Sequence, residues 1–168
     1  MAVRVRAATA VLAVCVAATG GCAGGGVEGG PMVDRIDDAI SAVESHYEAP
    51  QEFFEISATE TVVSVIVAVD GATAAEQAFW SPDDGLVEPV PMGPMERPTF
   101  RSGDLAFDPG SVLSGLRDEL PDSEIIDFAV TAGADGAAVY DARVQSAQGG
   151  VLLVLLRGDG RILGAQAE

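Results

Sequence analysis

Eight consecutive residues, Val62-Val63-Ser64-Val65-Ile66-Val67-Ala68-Val69, limit what this chain can fold into more than any other stretch. Their β-branched side chains are stiff at χ1 and favour an extended backbone. Alternation places Val63, Val65, Val67 and Val69 on one face, suited to packing on a helix. The other face carries Val62, Ser64, Ile66 and Ala68, with one weakly polar residue among them. An antiparallel strand with one wet face alternates apolar with polar, so this pattern predicts cover on both sides. Val151 to Leu156 is likewise apolar on both faces. Two readings follow. Either the halves of the chain close the second face, by packing sheet on sheet or by forming one continuous sheet, or that face receives a partner or a hydrophobic ligand.

The elements around these strands are legible in turn. Val33 to Tyr47 reads as a helix, with Ile36, Ile40, Val43 and Tyr47 on one face and Asp34, Asp37 and Asp38 in the first turn. Phe53–Ser57, Val62–Val69, Ala74–Trp80 and Leu86–Val90 read as strands, broken by Asp70-Gly71 and Asp83-Asp84-Gly85. Pro89, Pro91, Pro94 and Pro98 then exclude a helix or a central strand. Asp108-Pro109 opens a second helix as N-cap and first helical residue, striped by Val112, Leu113, Leu116 and Leu120. Ile125–Thr131, Ala137–Val144, Val151–Arg157 and Arg161–Gln166 follow as strands, the last two joined at Gly158-Asp159-Gly160.

A shift of 75 residues carries Val62–Val69 onto Ala137–Val144 and Asp84-Gly85 onto Asp159-Gly160. The pattern predicts an α+β fold of two tandem helix–four-strand units with antiparallel sheets. The units are residues 32–90 and 108–168, separated by a proline-rich linker, 91–107. This arrangement, with its closing strand–Asp-Gly–strand, resembles the PepSY-like and β-lactamase-inhibitor-like modules of bacterial envelope lipoproteins. That resemblance implies a non-enzymatic role, binding or inhibiting another protein, often a peptidase.

The first residues point the same way. Met1 to Arg6 is positive, Ala7 to Ala18 is apolar, and small residues lead to Cys22. An apolar run of about a dozen residues is too short to span a bilayer, which needs roughly 20. Thr19-Gly20-Gly21-Cys22 resembles the lipobox of a bacterial lipoprotein signal peptide, with Thr19 where Leu is usual. The resemblance implies cleavage after residue 21, diacylglycerol on the Cys22 sulfur, and residence on the outer face of the cell membrane. Two acyl chains give stable anchoring where one does not. Residues 22–31 then form a glycine-rich tether.

Charge narrows the classes of partner. The chain has 26 acidic and nine basic residues, all nine arginine. Without Arg4 and Arg6, seven arginines face the same 26 acids, a net charge of −19. Such a surface repels nucleic acid, whose affinity comes from basic side chains displacing counterions. It also lacks a polybasic patch for anionic lipid. Cys15 would leave with the signal segment, so no internal disulfide is expected.

No cofactor, metal or catalytic constellation is expected. His46 is the only histidine, too few for a zinc site, and without a Gly-x-Ser-x-Gly elbow for a serine triad. Asp83-Asp84 and Asp34/Asp37/Asp38 are adjacent or helical rather than spaced as in a calcium loop. Gly71, Gly133 and Gly158 build no phosphate cradle. A carboxylate pair could serve glycoside cleavage, but among 26 acids some pair is always suitably spaced. The triplet Arg157-Gly158-Asp159 matches an adhesion motif but falls in a hairpin turn. The candidate partner surface is therefore Val62, Ser64, Ile66 and Ala68, with Trp80 as an anchor. An envelope protein is its expected occupant, a hydrophobic ligand the alternative.

Overall fold

A computed structural model describes residues 29–168. The expected signal segment, the lipobox with Cys22, and all of the tether up to residue 28 lie outside the described residues. After a 3-10 turn, Val33–Arg35, the chain forms α1 (Ile36–His46), β1 (Glu52–Ala58), β2 (Val63–Val69), β3 (Ala74–Ser81), β4 (Gly85–Pro94) and β5 (Phe100–Arg101). A second 3-10 turn, Ser102–Asp104, precedes α2 (Pro109–Glu119), β6 (Ser123–Ala132), β7 (Ala138–Ser146), β8 (Val151–Leu156) and β9 (Ile162–Ala167).

The architecture differs from the expected pair of helix–four-strand units. All nine strands belong to one antiparallel sheet, ordered β4-β3-β2-β1-β6-β7-β8-β9, with β5 on the side of this path against β1. Among the described residues strand outnumbers helix, 46% to 20%, so this part of the chain is mostly β-sheet carrying two short helices. The joint is β1 against β6, where Ile56 faces Val130 and Ala58 faces Phe128. Separate units would each expose the free edge of β1 or β6 and its unpaired backbone groups. Pairing the two strands satisfies both edges at once.

Both helices lie on the same side of the sheet. Ile36, Ala39, Ile40 and Val43 of α1 and Val112, Leu113 and Leu116 of α2 share one core with Val63, Val65, Val67, Ile56, Phe128, Val130, Ala142, Val144 and Val154. Each of these side chains, the alanines apart, contributes roughly 1.5–3 kcal/mol on burial. The valine face of β2 is thus packed under helix, with Val63, Val65 and Val67 fully buried. Asp108 caps α2, its Oδ1 accepting from the Ser111 amide at 2.6 Å, and Pro109 is the first helical residue. The end of α1 is fastened by Tyr47, whose hydroxyl donates to Glu76 of β3 at 2.5 Å.

The proline-rich stretch is more ordered than the 91–107 linker reading allows. β4 continues through Pro91 to Pro94 because it is an edge strand, where a missing N–H breaks no ladder bond. Phe100 and Arg101 then pair with Phe53 and Glu52 as β5. No helix among the described residues is long and apolar enough to cross a membrane.

Candidate functional site: the uncovered sheet face

The register of the strands fixes which side chains share the face opposite the helices. Ser64 pairs with Ser57 and Phe79, Ile66 with Glu55 and Gln77, and Ala68 with Ala75. Gln77 and Phe79 face Val90 and Val87 of β4. In the other half, Glu55 faces Thr131 and Ser57 faces Ala129. Asp127 faces Arg143, and Ala129 faces Asp141. Asp141 and Arg143 in turn face Leu155 and Leu153, which pair with Gly164 and Gln166.

This face has a polar middle and two apolar ends. One end holds Ile66, Phe79, Val87 and Val90, with Val90 58% exposed. At the other, Leu155 is 43% exposed and forms with Leu153, Gly164, Ala165 and Gln166 a shallow hollow of about 190 Å³. The middle is charged. A bulge in β6 between Ile125 and Asp127 accompanies a carboxylate that is almost wholly buried. Arg143 embraces it with two guanidinium nitrogens, Nε at 2.7 Å and Nη2 closer still, while its own amide donates to Asp127 Oδ1 at 3.3 Å. With both guanidinium nitrogens on Oδ2 and the amide on Oδ1, the pairing satisfies a charge that would otherwise be costly to bury.

Asp141 has no such partner among the described residues. Partial burial pushes its carboxyl up to about 6, and the negative charges of Asp127 and Glu55 add to the effect. Glu55 is engaged by Arg97 at 3.7 Å, and the same guanidinium lies 6.0 Å above the Phe54 ring. Phe54 is buried yet outside the main core. The chain leaving β4 therefore covers one corner of the face.

The expected surface residues divide. Ser64, Ile66 and Ala68 lie together, half-buried, on the uncovered face. Trp80 does not join them. It pairs with Val63, on the helix side, and packs against the core; the alternation that buries Val63 turns Trp80 the same way. Val62 and Trp80 meet only at the end of the sheet, lining a hollow of about 340 Å³ with Phe79, Asp83, Asp84 and Val87. The sequence reading missed Asp127, Asp141 and Arg143. The signal for Asp141 and Arg143 was present in Tyr140-Asp141-Ala142-Arg143-Val144, where apolar and charged residues alternate, and that for Asp127 in its place between Ile126 and Phe128.

His46 stands exposed at the end of α1, against Tyr47. No cluster of three or more metal-ligating side chains occurs among the described residues. Gly158 of the Arg-Gly-Asp triplet is seated against the backbone of Ala106, and its carbonyl accepts from the Asp108 amide at 3.0 Å.

No protein-family model matches the chain, and no curated protein does. One solved structure is similar at 12% identity, covering 78% of this chain and 87% of its own, with a TM-score of 0.33. It is a crystal structure of a protein from Bacteroides eggerthii described only provisionally as periplasmic.

Proposed function

We propose that this protein is an envelope lipoprotein, tethered through lipidated Cys22 outside the cell membrane, whose uncovered sheet face binds another protein without performing chemistry on it. The placement rests on the order of charged start, apolar run, small residues and cysteine in residues 1–22. The binding reading rests on the face itself, above all on Asp141. A half-buried carboxylate with no ion-pair partner among the described residues, set between two apolar ends, suits a partner that brings a basic side chain flanked by apolar ones. The hydrophobic-ligand alternative has less support. The apolar hollow at Leu153 and Leu155, about 190 Å³, falls below the roughly 300 Å³ at which small-molecule sites begin, and the one of about 340 Å³ at Phe79 and Trp80 is edged by Ser81, Asp83 and Asp84.

Two measurements test the two parts. Palmitate labelling and membrane fractionation of the wild type and Cys22→Ser read the anchor: label and membrane retention are both lost in the variant. Photo-crosslinkers placed in cells at Ile66, Leu153 and, as a control, Asp37 on α1 read the surface. Adducts form at the two sheet positions and disappear with Asp141→Asn or Leu155→Asp. Adducts at Asp37 alone, or adducts untouched by either substitution, overturn the assignment of the face.

A further inference from the structure

The two edges of the sheet differ in kind. β4 closes one side and carries Pro89, Pro91 and Pro94, none of which has the N–H that an added strand would use. The hairpin that it completes, residues 74–94, contains Glu76, Asp83, Asp84 and Glu88 and no arginine. β9 closes the other side with no proline and no charged residue from Ile162 to Ala167. Its hairpin, residues 151–168, sets Arg157 and Arg161 against Asp159 and Glu168, so it is neutral in a chain of net charge −17. Exposed edges are templates for further pairing, and proline and charge are the usual guards against it. One edge is guarded twice over; among the described residues the other is bare.

We propose that β9 pairs with β9 of a second copy, antiparallel about a two-fold axis, so that two sheets continue into one. The ends of the strand carry the argument. Arg161 precedes the neutral run and Glu168 follows it, and neither has an ion-pair partner among the described residues. The bulge in β9 between Ile162 and Gly164 returns Arg161 to the same face as Glu168, so antiparallel alignment brings each Arg161 beside Glu168 of the other copy, whereas parallel alignment sets like charge against like. A strand from an unrelated protein would require no such match within β9 itself. Leu163, 66% exposed, adds apolar contact next to Leu155. A two-fold axis perpendicular to the sheet keeps both uncovered faces on the same side. The β9 hairpin itself adds no net charge to the repulsion between two acidic copies, and the acidic β4 hairpin lies at the far edge of the sheet. This pairing does not depend on the function proposed for the face.

Sedimentation equilibrium of the full chain, in density-matched mild detergent where it partitions to membranes, tests the proposal. The wild type sediments at twice the mass of one chain. Arg161→Glu and Glu168→Arg each halve that mass. Mixing the two variants, or combining both substitutions in one chain, restores it. Both positions lie outside the core, and the restored mass shows that the variants fold. A monomer at every concentration, a dimer indifferent to both reversals, or a monomer whose β9 cross-links to its own tether, residues 22–28, overturns the proposal.

Discussion

Asp141 shows how one residue can serve binding at the expense of folding. Its carboxyl is held at about 6 by partial burial and by Asp127 and Glu55, above the ordinary value near 4. The folded protein thus binds this proton more tightly than the unfolded chain does. The group costs nothing below about pH 4; its penalty grows as the pH rises to about 6 and is complete above that. The unscreened bound on the penalty is about 3 kcal/mol, and solvent at a half-exposed site reduces it to about 1 kcal/mol. Asp141→Asn is therefore expected to raise the urea midpoint at pH 7 and leave it unchanged at pH 4. The same substitution is expected to weaken capture of a basic partner. Asp127→Asn behaves in the opposite way, because it leaves the half-exposed Arg143 without the carboxylate that accepts from both its guanidinium nitrogens and destabilises at pH 7. Chemical melts of the two variants at the two pH values distinguish an unpartnered carboxylate from a paired one.

At the scale of elements, the β8–β9 hairpin is locked to the start of α2 by close backbone contact as well as by the core that Val154 and Leu156 share with Val112, Leu113 and Leu116. A Cβ on Gly158 would sit 1.9 Å from the Ala106 carbonyl oxygen, and one on Gly160 would sit 2.1 Å from that of Ser111. Gly160 also has φ +83°, a conformation that other residues adopt only at a cost. Gly160→Ala is expected to lose about 2–3 kcal/mol, the scale of overpacking in a filled interior. Gly103→Ala, where a Cβ meets open space, is expected to change the thermal midpoint little. These elements were readable because their signals are local: Asp108-Pro109 starts α2 and Gly158-Asp159-Gly160 turns the hairpin. The two-residue β5 and the extension of β4 through Pro94 were not readable. β5 exists only because β1 offers Glu52 and Phe53 to pair with, and Pro91 to Pro94 are extended only because the strand lies at an edge. The candidate site was half legible for a related reason. Alternation placed Ser64, Ile66 and Ala68 together, but Trp80 changes side through its register with Val63, which no local pattern encodes.

For the whole molecule, the β1–β6 junction decides whether there is one folding unit or two. Nothing within Glu52–Ala58 or Ser123–Ala132 announces that partnership, since strand pairing across so many intervening residues leaves no local trace. Once made, it puts Ile56 beside Val130 and Ala58 beside Phe128, inside a single core that also contains both helices. Two units joined by a linker would melt separately, and damage to one would leave the other in place. A shared core makes unfolding all-or-none. Trp80, the only tryptophan, reports on the β3 side from three strands away from β6. Phe128→Ala, which empties a fully buried site in β6, is expected to cost about 3–5 kcal/mol. The loss must appear equally in Trp80 fluorescence and in far-ultraviolet circular dichroism, with the two melting curves still superimposed. A Trp80 transition that stays at its wild-type midpoint while circular dichroism shows an earlier loss would mean that the β1–β6 contact carries no cooperativity. The continuous sheet would then be two sheets that merely touch.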